Sequence, residues 1–412
     1  MSEGDFGARI IDLADRLARH SELPDALTCT YLTPAHRAAA KELMQWMQAA
    51  GMTVQIDGVA NVVGRYAAAA PTEKTLIIGS HYDTVNDAGR YDGRLGVLAG
   101  LVIVEHLNRT GRRLPFAIEL IAFSEEEGLR FSASYIGSSA VAGCFDRGLL
   151  ARRDAAGVSL ADAISSTGFD PVGIAGLARR REDMLGYLEV HIEQGPVLLQ
   201  ENLPLGIVTA IAGACRFEIA IIGQAGHAGT VPMGLRHDAA AAAAEMVLAV
   251  ERRCTGIASL VGTVGKLRVP DGATNVIPGR CELSLDVRAA DDGIRDAAIA
   301  DLRNEFAAIA QRRGVAVDLT ETQRTPAVMC SARVQALFAA ALAGLGLAAR
   351  SLPSGAGHDA VNFGQLTETG MLFVRCGNGG ISHSPRETIT AADADLAARA
   401  LLDVVVNYTG QS

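Results

Sequence analysis

Short, unbroken apolar runs alternate along this chain with longer stretches in which apolar residues recur every third or fourth position, and the two periods predict strands and helices. Thr33 as N-cap and Pro34 in the first turn open a helix whose apolar face carries Leu43, Met44, Trp46 and Met47, and Gly51 stops it. Apolar runs over 54–56 and 59–66 flank Asp57-Gly58, a short hairpin signal. A buried strand over 75–79, a helix over 96–107 and a strand over 116–123 then follow in β-α-β order. That order predicts a parallel or mixed sheet with helices on both faces. From residue 212 the pattern changes to a set of its own: strand 217–222, helix 238–251, strands 260–269 and 281–288, helix 293–313 and strand 315–320. This βαββαβ order is the ferredoxin-like arrangement. Past Pro326 the first pattern resumes, with helix 332–345, strand 371–374 and a last helix over 391–408. The expectation is an α/β protein: a doubly wound mixed sheet built from 1–211 and 326–412, interrupted by an inserted ferredoxin-like domain over 212–325.

At 412 residues the chain exceeds one ordinary core, which agrees with a division into domains. A net charge of -9 and the lack of a long basic run argue against a nucleic-acid partner. The seven cysteines, Cys29, Cys144, Cys215, Cys254, Cys281, Cys330 and Cys376, are odd in number, widely spaced and form no C-x-x-C pair. They read as reduced thiols of an intracellular protein. The first residues carry neither the cationic nor the apolar region of a signal peptide, and no uncharged stretch reaches the roughly 18 apolar residues of a membrane span. No membrane association and a cytoplasmic location are therefore expected.

Several of the predicted strands lead into side chains suited to holding metal. His81 and Asp83 stand two apart after the run at 75–79, so their side chains lean the same way and Asp83 can fix the tautomer of His81. Asp92-Gly93 follows a glycine-bearing loop. Glu125, Glu126 and Glu127 close the strand at 116–123, where three adjacent carboxylates repel one another unless cations or protons intervene. His191 and His383 each follow a predicted strand and precede proline-containing turns. Singly, each has an ordinary reading: a hydrogen-bonded loop histidine, an Asp-Gly turn, a solvated acidic run. Together they point to a dinuclear metal site, because residues at the carboxyl ends of strands in an open parallel sheet meet in space.

The ordered set Gly79-Ser80-His81-Tyr82-Asp83-Thr84, Tyr91-Asp92-Gly93, Glu126-Glu127-Gly128-Leu129-Arg130-Phe131, His191-Ile192-Glu193-Gln194-Gly195-Pro196 and Gly380-Ile381-Ser382-His383-Ser384-Pro385 resembles the motifs of the M20-type metal-dependent amidohydrolases. Within that group the chain is similar to the branch containing allantoate amidohydrolase and N-carbamoyl-L-amino acid hydrolase, including β-ureidopropionase. The resemblance spans nearly the whole chain. It implies two divalent ions, Zn2+ or Mn2+, with His81, Asp92 and His191 on one, and the bridging Asp92, Glu127 and His383 on the other. Glu126 would be the general base, and Asp83 would support His81.

In the inserted domain the resemblance implies that His227 stabilises a tetrahedral oxyanion across the interface of a homodimer, and that Asn275 and Arg288 bind the carboxylate of a small ureido acid. Gln194, Gly357 and His358 would line the pocket, with a structural role as the alternative for His358. Two features depart from the commonest pattern: many relatives carry a glutamine near Ala214, and the segment 373–379 is more like allantoate amidohydrolases than carbamoylases, which usually have Val-Pro-Ser there. The leading expectation is hydrolysis of allantoate to ureidoglycine, ammonia and CO2, with N-carbamoyl amino acids as the alternative substrates. A dinuclear aminopeptidase ranks lower, because His191 stands where peptidases of the wider group usually have a carboxylate. A catalytically dead binding homologue ranks lower too, because the base and all five ligands are intact.

Overall fold

The computed structural model describes residues 5–72 and 74–408. Two compact units divide the chain: one runs to Thr209 and resumes over Met329–Leu352 and from Gly357 onward, while the other takes Ala210–Val328 and Pro353–Ala356. The second unit is wider than the 212–325 expected, and it takes in a short return segment that carries no sequence signal of its own.

The first unit opens with a helix that the pattern reading passes over, α1 (Phe6–Leu17), capped by the Asp5 side chain on the Ala8 N–H. Next comes α2 (Pro34–Ala49), capped by Thr33 on the His36 N–H. β1 (Thr53–Ile56) and β2 (Val62–Tyr66) pair antiparallel. Their connection is a longer loop in which Asp57 accepts from the N–H groups of Val59 and Asn61. There follow β3 (Thr75–His81), α3 (Arg94–Arg109), β4 (Ala117–Phe123), α4 (Ile136–Ala142), α5 (Leu160–Ser166), β5 (Met184–Ile192), α6 (Val197–Gln200) and β6 (Leu205–Ile211).

The second unit contains β7 (Gly213–Ile222), β8 (Gly226–His227), α7 (Ala239–Cys254), β9 (Leu260–Thr263), β10 (Leu267–Arg268), β11 (Val276–Ile277), β12 (Arg280–Ala289), α8 (Asp292–Arg313) and β13 (Ala316–Thr325). The single strand expected over 260–269 is two pieces, interrupted at 264–266. Its sheet runs β13-β7-β12-β10, with β9 also on β12 and all pairs antiparallel, while β8 and β11 pair separately. Alternation decides the two faces: Cys215, Phe217, Ile219 and Ile221 of β7 pack with Met246 of α7 and with Leu302 and Phe306 of α8. Arg216 and Glu218, between them, stand on the other face and line a groove of about 690 Å³ with Asp286 and Arg288.

The chain returns to the first unit through β14 (Val328–Met329), α9 (Ala332–Gly344), β15 (Ser351–Ser354), β16 (Thr369–Val374) and α10 (Ala391–Val406). The large sheet runs β1-β2-β4-β3-β5-β16-β6-β14, with β15 on β6. β4, β3, β5 and β16 are mutually parallel neighbours, and β1, β2 and β6 join antiparallel. On one face Leu76, Ile78, Leu120, Leu188 and Val190 join a core with α1, α2, α3, α9 and α10. On the other, Ile77, Ile121, Phe123 and Tyr187 are equally buried, and Phe363 stacks on Tyr187 with ring centroids 4.3 Å apart. Burial of both faces is what the unbroken apolar runs reflect.

Candidate metal centre

β3 and β5 lie side by side and end together, which brings His81 and His191 to one edge with ring centroids 5.8 Å apart. Both histidines sit inside the last turn of pleat rather than after it. Asp92 enters from the loop before α3. Gly93 has φ +64°, and a Cβ there would come within 2.3 Å of the His81 ring, so only glycine lets the chain pass this close. His383 arrives on the loop after β16, with φ +53°. That loop crosses the segment beyond β5 so tightly that a Cβ on Gly380 would meet the Gly195 carbonyl oxygen at 2.2 Å.

Asp92 is the hinge of the cluster. Its Oδ1 is 3.3 Å from His191 Nε2 and 3.7 Å from His81 Nε2, while its Oδ2 is 3.0 Å from His383 Nε2. His383 Nε2 is in turn 3.5 Å from Glu127 Oε1. Ligand atoms of His81, Asp92 and His191 all lie within 4.8 Å of one another, and those of Asp92, Glu127 and His383 do the same. Glu126 groups with His81 and Glu127 on the same criterion. Two imidazole-carboxylate sets that share one carboxylate suit divalent first-row ions.

Supporting contacts fix these side chains. His81 Nδ1 faces Asp83, 3.3 Å from Oδ1 and 3.2 Å from the backbone oxygen, which leaves Nε2 turned to Asp92. His191 Nδ1 is 2.9 Å from the Ile192 carbonyl oxygen. The Asp83 carboxylate also accepts from the N–H groups of Glu126 and Glu127, so one buried carboxylate aims both His81 and the glutamate loop. The three glutamates follow β4 through Ser124, and they differ: Glu125 is fully buried, with no donor to its carboxylate among the described residues, whereas Glu126 and Glu127 are partly exposed.

Two further carboxylates belong to this neighbourhood and escape sequence reasoning. Glu387 accepts from the N–H groups of Tyr91 and Asp92 through Oε1 and from the Ser382 hydroxyl through Oε2. It lies in an ordinary polar stretch with nothing to mark it. Glu189 takes hydrogen bonds from Ser80, Tyr187 and the Ala360 N–H. A charge in the middle of a buried parallel strand was its available signal.

The expected substrate residues are distributed differently. Gln194 donates to Asp92 Oδ2 at 2.9 Å and is 3.3 Å from His383 Nε2, so it stands against the shared carboxylate. His358 is buried edge-on to His191, ring centroids 4.4 Å apart, and so backs that ligand. At Gly357 a Cβ would meet Tyr135 Oη at 1.9 Å. His227 lies opposite Val276 in the β8–β11 pair of the second unit, exposed, beside Asn275, whose carbonyl oxygen accepts from Ala228. Arg288 on β12 directs Nε and Nη2 to Asp286, at 3.0 Å each, and Nη1 to the Gly355 carbonyl oxygen. Its fork, expected to receive a substrate carboxylate, already holds a protein carboxylate.

Protonation follows from this crowding. Burial opposes charge on His81, yet Asp83, Glu126 and Asp92 hold the imidazole well above its ordinary range. Burial likewise opposes charge on Asp92, but His383, His191 and His81 outweigh it and keep the carboxyl below the usual range. Burial and the charge of Asp92 raise Glu127 to about 7, and the hydrogen bond to Asp92 raises His383 to about 9. Glu126 is lifted well above the ordinary carboxyl range by burial, against the pull of His81. Burial lowers His191 to about 4. Protons and a cation would compete for the same lone pairs here, so binding of a metal would release protons.

Residues 77–407 match the model of peptidase family M20/M25/M40. The chain is 38% identical to allantoate deiminase 1 of Glycine max, over 95% of this chain and 88% of that protein. It is 40% identical to the N-carbamoyl-L-amino acid amidohydrolase of Geobacillus stearothermophilus, over 90% and 91%. The crystal structure of an amidase of the hydantoinase/carbamoylase family from Burkholderia multivorans superposes with a TM-score of 0.91 at 32% identity, covering 98% of this chain and 97% of that one.

Proposed function

The chain belongs to the M20/M25/M40 peptidase family, and from that footing we propose that it is an amidohydrolase cleaving the terminal ureido C–N bond of a small ureido acid, with allantoate as substrate. The observation that carries this reading is the pair of donor sets sharing Asp92, with Glu126 beside them. His81, Asp92 and His191 would hold one divalent ion, and Asp92, Glu127 and His383 a second, with Zn2+ or Mn2+ suited to the donors. When bound, such ions supply Lewis acidity, which lowers the pKa of a water molecule and polarises a carbonyl.

The chain's own residues do the rest. Glu126 accepts the proton of the attacking water at its carboxylate and delivers it to the leaving amine. Asp83 holds Glu126 by its N–H and keeps His81 turned to Asp92. Gln194 steadies the shared carboxylate. We read the second unit as a ferredoxin-like lid and dimerisation domain. In that role His227 stabilises the oxyanion in the active site of the partner subunit of a homodimer. The exposed Met233 and Leu235, close to His227 in sequence, support a subunit contact there. Asn275 and Arg288 take the substrate carboxylate, for which Arg288 exchanges Asp286 for an equivalent charge-assisted pair.

A second reading, hydrolysis of N-carbamoyl-L-amino acids or N-carbamoyl-β-alanine by the same residues, has the Geobacillus relative in its favour. Ammonia release measured across allantoate, N-carbamoyl-β-alanine and several N-carbamoyl-L-amino acids separates the two. Allantoate is expected to give the highest kcat/KM. A carbamoyl amino acid at the head of the series transfers the assignment to the second reading, and no release from any of them rejects the reaction class.

A further inference from the structure

A buried polar network in the first unit lies outside the ligand set. Asp57, in the loop between β1 and β2, accepts from the N–H groups of Val59 and Asn61 and from Asn61 Nδ2 at 2.9 Å. The Asn61 side chain is fully buried, and its two ends reach different segments. Oδ1 accepts from the Ser124 N–H at 3.0 Å, while Nδ2 also donates to the Gly137 carbonyl oxygen at 3.1 Å. One orientation of the amide satisfies these partners, since Ser124 offers a donor and Asp57 and Gly137 offer acceptors. α4 passes so close that a Cβ on Gly137 would meet Asn61 Oδ1 at 2.2 Å and the Ser124 nitrogen at 2.8 Å.

Ser124 and Gly137 bracket the segment that carries Glu126 and Glu127. Between β4 and α4 the backbone forms no helix or strand, so its polar groups are held one by one. At the first end Ser124 has three groups bonded: its N–H to Asn61, its carbonyl oxygen to His36 Nε2 at 2.7 Å and its hydroxyl to the Val59 carbonyl oxygen at 2.6 Å. At the other end the N–H groups of Tyr135 and Ile136 return to the carbonyl oxygens of Glu126 and Glu125. Asn61 joins the two ends through one planar amide. We propose that Asn61 is a positioning residue for the glutamate loop: by joining Ser124 to Gly137 it fixes where Glu126 and Glu127 stand. It does so through hydrogen bonds of a neutral side chain, and no change of protonation enters. The two donor sets differ in their dependence on this loop. His81, Asp92 and His191 come from other segments, whereas Glu127 completes the set with Asp92 and His383. Loss of the join should therefore act on one ion and spare the other.

The inference rests on the metal-centre reading above, so the test begins with native protein, stripped of metal and titrated with Zn2+ against a chromophoric chelator. Native protein that binds no Zn2+, or a single ion, rejects that reading and the inference with it. Given two ions, Asn61→Leu, which keeps the volume and removes both ends of the join, is expected to weaken one ion about ten-fold or more and leave the other at native affinity, the size typical of lost outer supports. Gly137→Ala reaches the same join from α4, because its Cβ displaces the amide without removing it, and the same split is expected. The melting temperature of each metal-free variant reads the fold separately from the affinity. Should Asn61→Leu not yield folded protein, Gly137→Ala carries the test. Native affinity for both ions in a folded variant, equal weakening of both, or failure of both variants to fold assigns Asn61 to the fold alone and overturns the proposal.

Discussion

Glu125 and Glu126 are neighbours in one loop with different surroundings, and the difference is why Glu126 is the residue proposed as the base. Burial holds both carboxyls well above the usual range, but Glu125 is enclosed, whereas Glu126 stands beside His81 and Glu127 in the cluster. Glu126→Gln is expected to keep its metal while kcat falls by about 10² to 10⁴, since an amide cannot accept the proton. Near-native kcat would move the base elsewhere. His36 gives a separate prediction for stability. It is buried against Tyr82, with Nε2 2.7 Å from the Ser124 carbonyl oxygen, and burial lowers it from 6.5 to about 4. Between those values the unfolded chain binds a proton that the folded chain does not, so stability is lost as pH falls through this window and the group is neutral to stability above it. The cost is about 3 kcal/mol for a shift of this size. His36→Gln should therefore show a shallower fall of melting temperature from pH 6.5 to 4 than native protein, and parallel curves would remove His36 from the acid response. The candidate ligands His81, Glu127, His191 and His383 were legible because each ends or follows an apolar run, and Asp92 because an Asp-Gly closes a glycine-bearing loop. Glu387 was not, because a charge in a polar stretch looks like a surface charge until burial is known.

At the level of elements, the site depends on loops pinned to strand ends. Asp83 is the main pin, and Asp83→Ala is expected to lower Zn2+ affinity by about 10- to 100-fold, measured by chelator competition. Unchanged affinity would mean that β3 alone aims His81. Strands of the first unit were legible as apolar runs buried on both faces, and α2 from its Thr33 cap and Pro34. α4 was not: its N-cap, Tyr135, has φ +63° and no side-chain cap bond, and its small residues Gly137, Ser138 and Ser139 give no helical stripe. α1 did carry a stripe, with Ile10, Leu13, Ala14 and Leu17 all buried, and a closer reading of the period would have found it. The split between β9 and β10 has no such signal, since apolar residues continue through Val264.

For the whole molecule, the change of pattern near residue 212 reflects a second core, with Phe217, Met246, Leu302 and Phe306 packed among themselves. The return of 353–356 to that unit was invisible because four residues carry no period. If His227 acts in the partner's site, mixing inactive His227→Ala with inactive Glu126→Gln subunits should regenerate activity, since a mixed dimer has one site with both groups intact. No recovery despite proven subunit exchange would place His227 in its own subunit's site or outside the chemistry. The measurement that tests the account most directly is activity against bound metal: strip the protein with chelator, add Zn2+ or Mn2+ stepwise, and follow ammonia release from allantoate alongside elemental analysis. The account predicts no turnover in stripped protein and a rise that saturates at about two ions per chain, as a centre of two donor sets sharing one carboxylate requires. Full turnover in protein shown to be metal-free would contradict it.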